Sequence, residues 1–311
     1  MTAPQGIWGA VLLPVDMQGA IDWAALVEEI DILCASGLTG LYTNGTAGEF
    51  HAQTEAEFDR LTDLVAARAG AAGVPFQIGV CQSNPRVARE RLARCRNIGA
   101  AGAQIILPDW WPPSPPEIDR FIDGMQEAAG DLPLILYNPP HAKVRLSLDQ
   151  IAALRARAPG LVGAKLPGGD AAWYEERRRL LPGFSVFVAG HTVAFGRPLG
   201  ADGAYSNVAC LSPLLALLHW RLAQDDPPRA LDLEARIQAF MQTHVVPLVA
   251  SHGLSHAALD KLMAAVGGWG PVSERLMWPH VSAPPGMVAA VAGAARALLP
   301  EMVMPRLPKD A

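Results

Sequence analysis

The chain has 311 residues, half of them hydrophobic, and a formal net charge of −5. This length fits one large domain or two ordinary ones, and the apolar content is sufficient for a large core. Because the chain has no basic tract, nucleic acid and anionic membrane surfaces are poor candidates for partners. The apolar stretch 7–15 is too short to span a membrane, and no signal-peptide pattern precedes it. We therefore expect a protein that acts on a small molecule.

The four cysteines are scattered and form no C-x-x-C pair: Cys34, Cys81, Cys95 and Cys210. This usage predicts reduced thiols, a cytoplasmic location and no zinc site.

Short apolar runs alternate with helical stretches along most of the chain. The predicted strands end near Leu13, Tyr42, Val80, Leu107, Tyr137, Lys165, Ala189 and Asn207. Several of these runs are continuously apolar, which is typical of strands buried on both faces of a parallel sheet. Helix-start signals fall between them: Thr54 with Glu57, Ser147 with Gln150, Asn84 before Pro85, and Asp170. The helix after the seventh strand, around 191–199, must be short.

Eight strand–helix units without a G-x-G-x-x-G or Walker-type loop predict a (β/α)8 TIM barrel of the α/β class rather than a doubly wound sheet. Beyond Ser212 the chain is predicted to be wholly helical, through 229–250, 255–266 and 286–299. We expect 1–225 to form the barrel and 226–311 a C-terminal helical extension packed on it. Such a layer is a common place for subunit contacts.

Lys165 ends the predicted sixth strand, directly after the apolar run 161–164, in a chain with only four lysines. A lysine in this position either extends its charge into solvent or loses that charge. A neutral amine is a nucleophile that attacks carbonyl groups. Both interpretations are open from this residue alone.

Reactive groups of such barrels lie at the carboxyl ends of the strands. Tyr137 ends the fifth strand and is a candidate proton shuttle for Lys165. The turn Gly45-Thr46-Ala47-Gly48 follows the second strand, and its backbone N–H groups suit a carboxylate. Considered alone, Tyr137 is explained as a packed aromatic residue at a strand end, and Gly45–Gly48 as a turn that binds no ligand. Together they predict Schiff-base chemistry on a 2-oxo acid.

Other strand ends supply candidate substrate-binding residues: Trp110, His141, Gly190, His191 and Tyr205. Trp110 belongs to the proline-rich loop 108–116, where it forms a pocket wall, or alternatively packs between subunits or under the loop. The histidines are predicted to bind the distal part of a substrate, and the alternative is that they are loop residues without a role. Their spacing shows no pattern of metal ligands.

Taken in order, these motifs resemble those of the dihydrodipicolinate synthase / N-acetylneuraminate lyase superfamily of class I aldolases and dehydratases. Gly45–Glu49 is similar to the G-[TS]-[TS]-G-E carboxylate motif, Tyr137–Pro140 to Y-N-x-P, and Gly163–Lys165 to G-[IV]-K. Gly200–Gly203 with Ser206 is similar to G-A-x-G-x-x-S. The resemblance implies that Lys165 forms the Schiff base, Tyr137 shuttles protons and Thr46 binds the carboxylate and helps the relay. It also implies no cofactor beyond that covalent imine and a homo-oligomer, tetramer or dimer.

The chain departs from the family pattern at four places. Ala47 lacks the second hydroxyl of the carboxylate motif, and losing such a charge-assisted hydrogen bond costs roughly 1.5–3 kcal/mol. Trp110 stands in the region of the relay tyrosine of the lysine-biosynthesis enzyme, and an indole cannot relay protons. The arginine expected after Y-N-x-P is replaced by His141-Ala142-Lys143, and Arg145 follows slightly beyond. The acidic residues expected after the seventh strand are replaced by His191-Thr192. Neither dihydrodipicolinate synthesis nor sialic acid cleavage is therefore expected.

The sequence thus predicts a Schiff-base lyase acting on pyruvate or a longer 2-oxo acid. Its reaction is aldol cleavage or condensation, or dehydration of a 2-keto-3-deoxy sugar acid. The alternative is a barrel that binds a 2-oxo acid without turnover, as a sensor or regulatory protein. A third interpretation, a barrel for a phosphorylated ligand, rests on Gly200–Gly203 and is weakened by Asp202, which would repel phosphate.

Overall fold

Eight parallel strands close into a barrel in chain order, in a computed structural model that describes residues 3–303. The strands are β1 Gly6–Ala10, β2 Gly40–Thr43, β3 Phe76–Gly79, β4 Gly102–Ile105, β5 Leu134–Tyr137, β6 Leu161–Lys165, β7 Ser185–Ala189 and β8 Gly203–Tyr205. All but the last residues of β6 and β7 are buried, as the continuous apolar runs predicted. The predicted (β/α)8 barrel is confirmed.

Nine helices alternate with or directly follow these strands in the described part of the chain. They are α1 Trp23–Ala35, α2 Glu55–Ala72, α3 Pro85–Cys95, α4 Pro115–Ala129, α5 Leu148–Arg157, α6 Ala171–Leu180, α7 Val193–Leu199, α8 Asn207–Leu211 and α9 Pro213–Asp225. The predicted N-terminal signals are confirmed, because Thr54 and Ser147 form capping boxes, Asn84 accepts from the Arg86 amide, and Asp170 from that of Trp173. The helix after β7 is short, as expected.

The first strand ends earlier than its apolar run. The run continues through Leu13, but β1 ends at Ala10. The Val11 N–H still donates to the Tyr42 carbonyl, whereas the Leu12 N–H donates to the Glu29 carboxylate at 2.7 Å. Leu12 and Leu13 stay buried without continuing the ladder. The apolar run is therefore longer than the strand, because the residues after Ala10 are also buried, and the predicted end near Leu13 is too late.

Two further strand ends were placed two residues too late. The fourth strand ends at Ile105 rather than near Leu107, and β8 ends at Tyr205 rather than near Asn207. Ser206 instead caps α8 by accepting from the Ala209 N–H at 3.1 Å.

Beyond the barrel lie α10 Pro227–Phe240, α11 Pro247–His252, α12 His256–Gly267 and α13 Met287–Leu298. The prediction of one helix over 229–250 is wrong, because Pro247 has no N–H to continue the ladder. The chain passes instead through a π-helical turn in which the Val246 N–H donates to the Met241 carbonyl at 2.8 Å. Residues 268–286 are not helical, so the prediction of a wholly helical C-terminal part is wrong there.

The division of the chain at residue 225 stays a prediction, and the end of the expected extension, 304–311, lies outside the described residues. Within the described part, none of the helices combines the length and hydrophobicity that a bilayer crossing needs.

Candidate active site

Lys165 and Tyr137 are direct neighbours in the barrel wall. They end β6 and β5 and pair in the strand register. The Lys165 Nζ lies 4.5 Å from the centre of the Tyr137 ring, and 5.9 and 5.8 Å from those of Tyr42 and Tyr205. The amine is thus held among three phenol rings at the mouth of the barrel, where it remains partly accessible.

The Tyr137 hydroxyl connects this amine to the predicted carboxylate turn. It lies 3.4 Å from the Thr46 Oγ1, and the Tyr137 side chain is only 9% exposed. Lys165, Tyr137 and Thr46 therefore form a continuous series of amine, phenol and hydroxyl. Such a series can carry a proton to or from a group bound at the amine.

The turn after β2 is held in an uncommon backbone conformation. Asn44 and Glu49, which flank it, have φ angles of 53° and 49°, and no other non-glycine residue among 3–303 has a positive φ. The Gln53 side chain donates to the Gly48 carbonyl at 2.7 Å. A Cβ on Gly79 of β3 would lie 2.5 Å from the Asn44 carbonyl oxygen, so only glycine lets the turn rest on β3. Strain of this kind is found at ligand-binding sites.

A buried ion pair holds this turn to α12. Glu49 and Lys261 are in direct contact, and both side chains are fully buried. Glu49 also accepts from the Met277 N–H at 2.8 Å, and Lys261 donates to the Arg275 carbonyl at 2.6 Å. Burial lowers the pKa of Lys261, and Glu49 opposes that shift.

This pair was not predicted from the sequence. Lys261 is one of only four lysines, and it lies within the apolar sequence 257–266. A lysine inside such a helix requires a buried partner, and that signal is present in the sequence. The partner is not, because Glu49 is remote along the chain.

A small cavity opens beside Tyr137 and Thr46. Its wall is completed by Phe50, Ile106, Leu107, Pro108, Asp109, Asn138, Pro139, His141, Ala142 and Val144. The His141 ring stacks on that of His256, with 5.9 Å between centroids and 17° between planes. Burial, and then His256, lower the pKa of His141. A mostly apolar wall with a few converging polar groups is typical of a small-molecule site.

Gly190, His191 and Tyr205 lie on the other side of the barrel mouth and do not line this cavity. The His191 Nδ1 is 2.9 Å from the Asn207 amide nitrogen, and burial lowers the pKa of His191. A Cβ on Gly190 would lie 2.3 Å from the Ser206 hydroxyl, so the backbone passes close to β8 there. Tyr205 points into the barrel beneath Lys165, is 1% exposed, and donates to the Gln77 side chain.

Trp110 does not reach the cavity within one chain. Its side chain is 87% exposed and lines a separate groove with Arg86 and Arg120. The loop is fixed by Lys143, whose Nζ donates to the Trp110 carbonyl at 2.8 Å.

The turn Gly200–Gly203 is occupied by protein contacts. The Asp202 carboxylate pairs with Arg177 and accepts from the Val186 N–H at 2.8 Å. Among residues 3–303, no three His, Cys, Asp or Glu side chains are grouped as metal ligands.

A barrel with a lysine and a tyrosine at the ends of adjacent strands, next to a carboxylate-sized turn, has the arrangement of a class I aldolase. Residues 3–249 match the model of the Dihydrodipicolinate synthetase family. An N-acetylneuraminate lyase of Escherichia coli (strain SMS-3-5 / SECEC) is 31% identical over 207 residues, which are 65% of this chain and 68% of that protein.

Two solved structures show the same fold. YagE, a prophage protein of the dihydrodipicolinic acid synthase family from E. coli K12 in complex with pyruvate, superposes with a TM-score of 0.82 at 22% identity, over 94% of this chain and 98% of that one. CdNal from Clostridium difficile in complex with mannosamine superposes with a TM-score of 0.80 at 20% identity, over 96% and 100%.

The chain belongs to the dihydrodipicolinate synthetase family. It is a lyase of the class I aldolase type that works through a Schiff base with a 2-oxo acid. The resemblance seen in the motifs is confirmed.

Proposed function

We propose that Lys165 forms the imine with pyruvate or a longer 2-oxo acid, and that the chain cleaves or condenses aldols, or dehydrates a 2-keto-3-deoxy sugar acid. The observation that carries this proposal is the series Lys165, Tyr137 and Thr46, in which the amine lies on the phenol ring and the two hydroxyls are 3.4 Å apart. The protonated imine is the electron sink that stabilises the enamine formed when a bond to the neighbouring carbon breaks.

Each residue of the site has a separate role in this proposal. Tyr137 moves the protons that imine formation and hydrolysis require. Thr46 binds the substrate carboxylate and relays protons, beside the backbone N–H groups of the Gly45–Gly48 turn. Ala47 contributes only its backbone there, since it has no hydroxyl.

The distal part of the substrate lies towards His141 on one side of the mouth or towards Gly190 and His191 on the other. Tyr205 is buried beneath Lys165 and is not assigned to that part of the substrate. The Arg145 side chain is exposed and lines a different pocket with Trp173, so it is not assigned to this substrate. We accordingly do not assign dihydrodipicolinate synthesis, and His191 in place of an acidic residue argues against sialic acid cleavage.

We further propose that the imine is the sole cofactor, that the protein is cytoplasmic, and that it is a dimer or tetramer. Four free cysteines support a reducing compartment. Trp110 and Trp111 are 87% and 77% exposed, and adjacent exposed tryptophans are typical of a contact surface. Trp110 would then form part of the cavity wall of a neighbouring subunit. The helical extension 226–311 is a second candidate for subunit contacts.

Reductive trapping tests the imine. The protein is incubated with pyruvate and borohydride, and its mass is measured. We expect an adduct on the wild type and on Lys143→Ala, a control lysine in the neighbouring loop, but none on Lys165→Ala. No adduct on the wild type, or an unchanged adduct on Lys165→Ala, would overturn the proposal for this ligand.

The second candidate, a 2-oxo-acid sensor, is favoured by two observations: the missing hydroxyl at Ala47 and the distance of Trp110 from the cavity. Turnover is measured against a panel of 2-oxo sugar acids and of aldehydes with pyruvate. Imine formation without turnover across the panel would favour the sensor.

A further inference from the structure

The amine of Lys165 is surrounded by aromatic rings rather than by carboxylates. The ring centres of Tyr137 from β5, Tyr42 from β2 and Tyr205 from β8 lie 4.5, 5.9 and 5.8 Å from its Nζ. In the described part of the chain, Lys261 is the only lysine paired with a carboxylate. The rings are therefore the groups nearest to a positive charge on the Lys165 nitrogen.

Tyr42 and Tyr205 are fixed in these positions by their neighbours. Both side chains are buried, and their rings meet edge to face with 4.8 Å between centroids. Phe187 from β7 packs on Tyr205 with 4.5 Å between centroids, and the Tyr205 hydroxyl donates to the Gln77 side chain. Burial raises the pKa of both phenols, so both stay neutral near pH 7. They therefore act on the amine through their rings and not as phenolate ions.

The face of a phenol ring attracts a cation that lies within about 6 Å of the ring centre. This attraction is about two to four times stronger where water is excluded than at an exposed site. The free Lys165 side chain is partly accessible to water. A 2-oxo acid that is joined to Lys165 and bound at the Gly45–Gly48 turn covers the nitrogen. The rings therefore stabilise the covered iminium more than they stabilise the free, hydrated lysine.

We propose that Tyr42 and Tyr205, together with Tyr137, form an aromatic cage whose cation–π attraction stabilises the positive charge of the iminium at Lys165. This inference rests on the proposed imine. It gives Tyr42 and Tyr205 a role at the reacting nitrogen that is separate from the proton shuttle of Tyr137. It also explains why Tyr205 is buried beneath the amine instead of lining the cavity.

The charge appears on the nitrogen as the imine forms. The neutral amine attacks carbon 2 of the 2-oxo acid, a carbon–nitrogen bond forms, and the carbonyl oxygen leaves as water. That water carries one proton from the nitrogen and one from the Tyr137 shuttle, which solvent then reprotonates. The nitrogen keeps one hydrogen and gains a positive charge. No oxidant or reductant is needed, and the charge lies on the atom that the three rings surround.

Ring fluorination tests the cage, because fluorine withdraws electrons from the ring face and changes the ring shape little. Tyr205→Phe is compared with variants that carry mono-, di- and trifluorinated phenylalanine at position 205, and a second series is made at position 42 from Tyr42→Phe. The apparent dissociation constant for pyruvate is measured from the fraction of chain that borohydride traps at increasing pyruvate concentration. We expect this constant to rise with each added fluorine, by about 5–10-fold over each series.

Phe187 is the matched control, because it packs on Tyr205 but is not one of the three rings around the amine. The same fluorinated series at position 187 should leave the dissociation constant unchanged. Constants that do not change along the series at positions 205 and 42, or that rise as steeply at position 187, would overturn the inference while the wild-type adduct still forms. If Tyr205→Phe has no cooperative thermal transition, the series at position 42 decides. No adduct on the wild type would instead overturn the proposed function.

Discussion

Replacing Lys261 by methionine measures how much the buried ion pair with Glu49 contributes to the stability of the fold. Lys261→Met keeps the length of the side chain and removes the charge, so Glu49 is left as a fully buried carboxylate. One hydrogen bond to it remains, from the Met277 N–H. Removing one partner of a buried pair costs about 3–5 kcal/mol, because the other charge stays desolvated. The free energy of unfolding should fall by that amount.

Urea denaturation followed by circular dichroism measures this loss. With a slope near 3 kcal/mol per molar, the midpoint should fall by about 1–1.7 M. The surface pair Arg157–Asp123, 2.5 Å apart with both side chains nearly half exposed, is the control. Arg157→Met should cost about 1 kcal/mol or less. In Lys261→Met/Glu49→Gln no charge is left unpaired, so the double variant should be more stable than Lys261→Met alone.

A cost for Lys261→Met no greater than that for Arg157→Met would refute this reasoning. So would a double variant less stable than the single one, since the penalty is assigned to the unpaired Glu49 charge. The pair also holds the carboxylate turn, so Lys261→Met should raise the KM for the 2-oxo acid. That effect is measured by the pyruvate dependence of adduct formation.

Two further predictions concern Tyr137 and Gly79, the glycine of β3 on which the turn after β2 rests. Tyr137→Phe should slow formation of the pyruvate adduct by about 100-fold, because the proton shuttle is lost. The control Tyr174→Phe on α6 should not slow it. Equal rates of adduct formation in Tyr137→Phe and the wild type, measured by time-resolved mass spectrometry, would exclude the shuttle. Gly79→Ala should weaken pyruvate binding and lower the thermal midpoint, since the new Cβ would lie 2.5 Å from the Asn44 carbonyl oxygen. Gly70→Ala, inside α2 with open space around it, should instead stabilise the fold by about 0.5–1 kcal/mol; a Gly79→Ala melting curve like that of Gly70→Ala would contradict this account.

The sequence was most informative where the signal is local. Capping at Thr54 and Ser147 depends on residues three apart, and the structure confirms it. The adjacency of Tyr137 and Lys165 followed from two consecutive parallel strands, which are neighbours in a closed barrel. The β1 end was missed because apolar residues past Ala10 are buried without pairing as a strand.

The candidate site was predictable only in part, because only some of its contacts are specified by residues close in the chain. A strand, a cap or a turn is specified by residues close in the chain, so Lys165, Tyr137 and Thr46 were recognisable as a set from their sequence motifs. The partner of Lys261 and the exposure of Trp110 depend on how distant elements pack. Packing sums many weak contacts over the whole chain, and no local pattern records that sum. The sequence by itself determined the barrel and the position of Lys165 at the end of its sixth strand, and only the tertiary structure decided which side chains surround that lysine.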